Sequence, residues 1–270
     1  MKDIHQNIQE ELESVLEGFI DETAMKKIKF LQSIHSLIKS GQSMNKRTLF
    51  YDSVPIFKTQ NSVNKLVKRY SRVFGCEQRD FNIKSSLKGI FHGRIILIMK
   101  NSKRIEYEGK NLIPDMDDVI EIKHNYKVAM VIEKDTVFSR VESERYLTVC
   151  GKGYPCQNTV KFLKMIESTV KIYCLTDFDP YGLHIFLVYK KKIDMVRIGL
   201  KIEDILKYKV KKHDCICLNG PDKRMIERLK RYSEIYNEVE FIEGLGMKME
   251  LEILFNRMDF DIFEYLDKYI

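Results

Sequence analysis

Apolar residues recur at three- and four-residue spacing over the first forty positions: Ile8, Leu12, Val15, Leu16 and Phe19, then Ile28, Leu31, Ile34, Leu37 and Ile38, closing at Gly41. That period is the stripe of an amphipathic helix, and glycine is a common helix terminator. A further helix is expected from Gln60 to Phe74, with Val63, Leu66, Val67, Tyr70, Val73 and Phe74 on one face and Gly75 behind it. After a short polar segment with Arg79-Asp80-Phe81 the pattern becomes strand-like in Asn82-Ile-Lys-Ser and Arg94-Ile-Ile-Leu-Ile-Met, separated by Gly89 and Gly93. Helix, turn, helix and a two-stranded wing is the outline of a winged-helix DNA reader.

From about residue 124 the pattern changes to short, unbroken apolar strands alternating with helices. Val128-Ala-Met-Val-Ile leads to Glu133, Tyr146-Leu-Thr-Val-Cys to Gly151, and Lys171-Ile-Tyr-Cys-Leu to Asp177, with helical spacers at 136–144 and 157–167. Apolar strands between helices indicate a parallel sheet covered on both faces, and ligands of such sheets sit outside the carboxyl ends of the strands. Glu133, Asp177 and Asp179 all fall at such ends. The expected architecture is mixed α/β, with a winged-helix domain in residues 1–110 and a Rossmann-like parallel-sheet domain in residues 111–270.

Composition adds limits. A chain of 270 residues with 44% hydrophobic residues, 5 Pro and 13 Gly has material for two packed cores and no low-complexity linker. The charged, amphipathic start does not read as a signal peptide, and runs such as Ile95 to Met99 are too short to span a bilayer, so a soluble intracellular protein without membrane association is expected. The six cysteines (76, 150, 156, 174, 215 and 217) lack zinc-type CxxC pairs. His213-x-Cys215-x-Cys217 is the one tempting cluster, and its cysteines alternate within a strand-like CICL, so reduced thiols are the plain reading.

Charge is uneven. Residues 46–100 hold twelve Lys or Arg against three acids (Asp52, Glu77 and Asp80), an excess of +9 in a chain of net +7, so the remainder sums to −2. Counterion release from a phosphate backbone scales with the basic groups that reach it, which makes this segment the candidate nucleic-acid face.

The acids carry the sharper chemistry. Side chains two apart in an extended segment point to the same side, so Asp177 and Asp179 converge while Phe178 points away. At ~6 Å and an effective dielectric of ~20, a carboxylate pair repels by roughly 3 kcal/mol, and a third acid at a neighbouring strand end adds to the cost. A hard divalent cation removes it. Magnesium (Mg2+) fits best, because it takes one or two carboxylates, keeps waters and shares its other positions with substrate phosphate. Asp-x-Asp alone also occurs in transferases, phosphatases and helix caps. With Glu133 at a second strand end, the set resembles the topoisomerase-primase (Toprim) metal fold.

With GKGYP (151–155) between those two sites, the chain resembles the meiotic transesterases that make DNA double-strand breaks, relatives of the A subunit of archaeal topoisomerase VI. The matching pieces are KRTLFYDSVPIF (46–57), SSLKG (85–89), VIEKDTVFSRV (131–141), GKGYP, LTDFDPYG (175–182), IGLKIEDI (198–205) and GMKMELEIL (246–254), in family order over about residues 44–255. The resemblance implies Tyr51 as the nucleophile in the winged-helix domain; Phe50 stands where the family usually has a first tyrosine. Cys156 and Thr159-Val160 stand where the family commonly has Asp and Thr-Arg.

A tyrosine of pKa about 10 is about one part in a thousand ionised at neutral pH, so using its phenolate costs ~4 kcal/mol unless the site assists. Arg47, four residues upstream, supplies a positive field for it or for the phosphorus in flight, or else contacts phosphate. Lys46 and the wing lysine Lys88 are expected DNA contacts. Lys152 and Tyr154 of the Gly-rich loop are expected to approach DNA, with packing the alternative for Tyr154.

The resemblance further implies double-stranded DNA as substrate and a homodimer in which the tyrosine of one subunit faces the metal of the other. It implies a topoisomerase VI B-like partner, accessory recombination proteins and a nuclear location. The nearest rival is the catalytic A subunit of a type IIB topoisomerase, which needs a separate ATPase partner; a non-catalytic DNA-binding scaffold is the rival of another class.

Overall fold

The computed structural model describes residues 3–84 and 87–270. The chain divides into two compact units, Met1–Ser86 and Leu87–Ile270.

The first unit is mostly helical. α1 (Ile4–Leu16) and α2 (Glu22–Ser40) follow the predicted stripe. α2 starts on the Asp21 carboxylate, which accepts from the Ala24 amide, and stops at Gly41 in the left-handed region (φ 68°). Phe19 departs from the expectation: it falls between the two helices and is 92% exposed. The chain continues through β1 (Met44–Asn45), α3 (Lys46–Tyr51), α4 (Val54–Phe57), α5 (Gln60–Val73), a 3-10 turn at Gln78–Phe81 and β2 (Ile83–Lys84). Phe30 stacks on Tyr70 with ring centroids 5.6 Å apart, and Leu49, Phe57, Val63 and Phe81 complete the same core.

Among the described residues, the two expected wing strands do not pair with each other. β2 pairs in parallel with β1, Met44 opposite Ile83. The other expected wing strand, β4 (Ile95–Met99), belongs to the second unit, where β5 (Arg104–Tyr107) and β7 (Val119–Lys123) flank it in an antiparallel sheet. Its alternating Ile and Leu side chains are satisfied by any sheet with one buried face, so the pattern specifies the strand and not its partners. The boundary therefore falls before Leu87, and residues 87–110, assigned above to the first domain, lie in the second unit. Ser85 and Ser86 of SSLKG lie outside the described residues.

The second unit is built on a six-stranded sheet, which adds β3 (Ile90–His92), β6 (Lys110–Leu112), β8 (Val128–Ile132), β9 (Leu147–Cys150), β10 (Lys171–Leu175) and β11 (Val196–Gly199). The strand order is β11-β10-β8-β9-β3-β6. β9, β8, β10 and β11 run parallel, whereas β3 pairs antiparallel with both β9 and β6. α6 (Asp135–Val141) and α7 (Gln157–Ile166) are the predicted spacers, and α8 (Pro180–Lys190) follows β10. β8 and β10 are buried almost throughout, as their unbroken apolar runs require.

Beyond β11 come α9 (Ile202–Lys207), β12 (Ile216–Cys217), α10 (Gly220–Leu229), α11 (Tyr236–Leu245), β13 (Met247–Lys248), α12 (Glu252–Phe255) and α13 (Ile262–Asp267). β12 and β13 pair as a separate ribbon, so the expected CICL strand reduces to two exposed residues. All six cysteines are free thiols. No helix among the described residues is long and apolar enough to cross a membrane.

Two features of this sheet create the site. The chain steps from β8 to β9 on one side and then crosses to β10 on the other, so the winding direction reverses at β8, the switch point where α/β sheets bind ligands. Register aligns the strand ends: Ile132 pairs with both Leu175 and Cys150, so Glu133, Gly151 and Thr176 leave the sheet at one level.

Candidate active site

Asp177 follows that level directly and is 3% exposed. Its Oδ1 accepts from the Leu251 amide at 2.9 Å, and its Oδ2 lies 2.8 Å from the Lys134 ammonium. The Asp177 amide in turn donates to Glu133 Oε2 at 3.1 Å, tying the first strand's acid to the third strand's turn. Asp179 caps α8: its Oδ1 accepts from the Gly182 amide at 2.5 Å, with Pro180 in the first helical turn. The helix-cap role weighed for Asp-x-Asp is thus real for Asp179. It occupies one oxygen and leaves Oδ2 without a donor among the described residues. Phe178 turns inward, fully buried, and bridges Met249 through backbone hydrogen bonds of 2.9 and 3.0 Å. The alternation expected from an extended segment places the two acids together and the phenyl ring away.

Burial and mutual repulsion act on these acids in the same direction. Burial, then the charge of Asp177, push Glu133 up to about 8. Burial raises Asp177 to about 6, although Lys134 and the Leu251 amide oppose it. Burial also raises Asp179, against the Gly182 amide and Lys248. Lys134 loses solvation, but its hydrogen bond to Asp177 and the charges of Asp177, Glu252 and Glu250 outweigh that and hold it above the ordinary lysine value.

Lys134 is a residue that sequence reading missed. Its ammonium touches three carboxylates, Asp177 at 2.8 Å, Glu252 at 3.3 Å and Glu250 at 3.4 Å. Its place beside Glu133 is visible in the chain; that it turns back into the cluster is not. Glu250, Leu251 and Glu252 lie in GMKMELEIL, a motif whose role the sequence does not reveal. Arg197 was missed too. Fully desolvated, it donates from Nε to Thr176 Oγ1 (3.0 Å) and from Nη2 to the Leu200 carbonyl (2.7 Å). Its Nη1 stands 3.6 Å from Glu238, an ion-pair distance too long for a hydrogen bond. It braces the turn that carries Asp177.

The Gly-rich loop is tied to the same acids. The Gly153 amide donates to the Glu133 carbonyl at 2.9 Å, and Lys152 and Gly153 both take positive φ, 52° and 80°. Tyr154 projects outward, with its hydroxyl 2.7 Å from His184 Nδ1 on α8. Burial, Tyr181, Glu133 and Asp179 together raise the Tyr154 phenol to about 12, which sets it within the field of the acids. Lys152 pairs with Asp135 at 3.2 Å. Lys88, expected on a wing, instead lies in the second unit, where its ammonium donates to the Lys152 carbonyl at 3.2 Å.

Tyr51 and Arg47 sit on α3 of the first unit. Asn45 caps that helix, accepting from the Arg47 and Thr48 amides, both at 2.9 Å. Leu49 points into the core, which turns the i, i+4 pair Arg47 and Tyr51 to the outside, Tyr51 being 58% exposed. Arg47 Nη2 donates to the Tyr51 oxygen at 3.2 Å and the guanidinium lies 5.6 Å from the ring centroid. Lys46 is half-buried, and burial lowers its pKa.

The residues that would hold magnesium fit a hard cation in kind: carboxylate oxygens only, raised by burial and by one another, with Glu133 Oε1 and Asp179 Oδ2 left without donors among the described residues. Among those residues, no group of three or more His, Cys, Asp or Glu stands close enough together to hold a metal ion, and the Lys134 ammonium holds one oxygen of Asp177.

Residues 128–270 match the family of the Toprim domain of the topoisomerase 6 A subunit and Spo11, and residues 22–83 match one described as "Type IIB DNA topoisomerase". The chain belongs to the Spo11/topoisomerase 6 family. It is 35% identical over 272 residues to the "Probable meiosis-specific protein SPO11 homolog" of Encephalitozoon cuniculi, covering 91% of this chain and 90% of that protein. It is 28% identical over 207 residues to the A subunit of DNA topoisomerase 6 of Arabidopsis thaliana, covering 67% of this chain and 48% of that protein. With "Meiotic recombination protein SPO11" of Homo sapiens it shares 23% over 259 residues, 84% of this chain and 65% of that protein. The chain thus spans about half the length of the Arabidopsis relative. As a Spo11-family chain it is a type IIB topoisomerase-like, DNA-cleaving subunit with a Toprim domain, and Glu133, Lys152, Tyr154, Asp177 and Asp179 all fall within that domain's match. Tyr51, Arg47 and Lys46 fall within the other match, and Lys88 in neither.

Proposed function

We propose that this protein is a magnesium-dependent DNA transesterase that makes double-strand breaks to start meiotic recombination, remaining joined to the DNA through Tyr51. The observation that carries the reading is that Glu133 and Asp177 are linked beyond the ends of β8 and β10, with Asp179 at the start of the following helix, so that burial and the charge of neighbouring acids raise all three. The meiotic relatives support the pathway and, with it, a nuclear location.

In the reaction, the Tyr51 phenolic oxygen attacks the scissile phosphorus and the 3′-oxygen leaves. One phosphodiester is exchanged for another, giving a 5′-phosphotyrosyl link and a free 3′-hydroxyl, with no ATP needed for that exchange. Arg47, already on the phenol oxygen, is placed to stabilise the charge that builds on the phosphoryl oxygens. Glu133, Asp177 and Asp179 would hold magnesium, which supplies charge neutralisation at the scissile phosphate when bound. Lys46, Lys88, Lys152 and Tyr154 contact the duplex. The active form is a homodimer in which the tyrosine of one subunit works with the acids of the other, and a topoisomerase VI B-like protein and accessory recombination proteins assist it.

The test is to incubate the protein with Mg2+ and supercoiled DNA and look for protein attached at 5′ ends. The parent is expected to give the adduct and Tyr51→Phe none; equal cutting by Tyr51→Phe would show that the nucleophile is another group. Resealing of the cut in the presence of an ATPase partner would favour the second reading, the A subunit of a type IIB topoisomerase, which the Arabidopsis relative supports. A protein that binds duplex and never cuts it would be the scaffold.

A further inference from the structure

A second charged cluster, outside the acids and outside the basic segment 46–100, lies where α8 and α10 pack together. Lys191 stands just past the end of α8, and its ammonium donates to the Tyr232 oxygen at 3.3 Å. Arg231 Nη2 donates to the same oxygen, also at 3.3 Å. Both cations also lie over the Tyr232 ring, 5.3 and 5.1 Å from its centroid. Arg228 projects from the last turn of α10. All three cations are exposed, and none forms an ion pair among the described residues. Their chain neighbours do: Lys190 pairs with Asp194, and Lys230 with Glu227 and Glu243.

Two cations drawn to one neutral phenol repel each other, and the partner that removes the cost is an anion bridging them. This is the inverse of the situation at the acids. The cluster also has a direction. His184 and Lys191 are seven residues apart and so share a face of the helix, and His184 holds the Tyr154 hydroxyl, their rings 5.5 Å apart. The charged groups acting on His184 are Lys191, Arg228 and Arg231, all cations; with burial they keep the imidazole below its ordinary pKa. Tyr154 feels Glu133 and Asp179 on its other side. One surface therefore runs from the acids over Tyr154 and His184 to the three cations. At 1.5 Å per residue from Pro180, Lys191 lies about 16 Å along the helix axis, roughly five base pairs of duplex.

We propose that Lys191, Arg228 and Arg231 grip the sugar-phosphate backbone of the duplex arm leading away from the cut, with Tyr232 fixing the spacing of two of the cations. The inference rests on the DNA-cleaving reading and adds a binding surface in the second unit. Tyr232 suits the task because its single phenol oxygen accepts from both Lys191 and Arg231 and so keeps the two cations a fixed distance apart.

The experiment is duplex binding by the full chain in the Tyr51→Phe background, so that cutting does not intervene, across a KCl series. It compares a duplex of about eight base pairs centred on the site, whose ends lie about 14 Å from its centre and stop short of the cations, with one of about thirty. On the long duplex, combining Lys191→Gln, Arg228→Gln and Arg231→Gln should make the slope of log K against log[KCl] shallower by about 2 to 3, while the short duplex changes little. Arg231→Lys, which keeps the charge, should keep the slope. Circular dichroism and melting of the triple variant check the fold, which these exposed positions leave intact. An unchanged slope on the long duplex overturns the proposal and points to another occupant, such as an acidic protein segment. An equal loss on both lengths also overturns it, because the cations would then not lie along the arm. If the parent binds neither duplex, the DNA-cleaving reading falls as well; if the parent binds and the triple variant matches it, only this inference falls.

Discussion

Without metal, the second unit should lose stability as pH rises from about 4 to about 8, opposite to a protein whose carboxylates are all well paired. Glu133 and Asp177 bind protons more tightly folded than unfolded: Glu133 rises from 4.5 to about 8 and Asp177 from 3.8 to about 6. Between those limits the folded chain holds more protons than the unfolded one, so stability falls as pH climbs through the window. Asp177 alone, raised by about two units, is worth about 3 kcal/mol, lost between about pH 4 and 6. Glu133 continues the loss in the same direction toward about pH 8. For a unit of this size, 3 kcal/mol is about 6 to 12 °C in Tm.

The assay is thermal or urea unfolding in EDTA at several pH values, for the parent and for Glu133→Gln combined with Asp177→Asn. Subtracting the variant removes surface groups such as Glu22, which Lys26 and Lys58 hold down at about 2 and which titrates with the opposite sign. Mg2+ should stabilise the parent more at pH 8 than at pH 5, because it binds the deprotonated acids. Parallel pH profiles for parent and variant would refute the claim that these acids are held together against their own repulsion.

Gly182→Ala should damage the site although glycine carries no chemistry. Its Cβ would lie 2.5 Å from the Asp177 carbonyl oxygen and 3.1 Å from Glu133 Oε2, so the turn must open; a stability loss of about 1–3 kcal/mol and about a hundredfold slower adduct formation are expected, and near-parental values in both assays would contradict it. Lys134→Gln should lower the stability of the metal-free protein yet tighten Mg2+ binding about tenfold or more, since a competing cation 2.8 Å from Asp177 is gone. Calorimetric titration decides, and weaker binding would make Lys134 a support of the metal rather than its competitor.

The helices and strands were legible in the sequence because their side chains report on neighbours in the chain. The α5 stripe, the buried runs of β8 and β10, and the spacing of Asp177 and Asp179 each needed only a period of 3.6 or 2. That Glu133 would meet the aspartates was readable one step further, from the rule that ligands collect at strand ends where the winding reverses. Partner choice was not legible. β4 carries the same alternation whether it forms a wing or joins β5 and β7, and pairing is decided by which edge lies nearby once the chain has folded. The same reason hides Lys134 among Asp177, Glu250 and Glu252, residues up to 118 positions away, and Leu251 on Asp177 across 74. Arg197 under the Asp177 turn and the Lys191–Tyr232–Arg231 cluster are likewise products of packing. The sequence alone determined the kind of chemistry, three acids and a tyrosine; the tertiary structure decided which cations answer those acids and which surface extends from them, because long-range contacts leave no period in the chain.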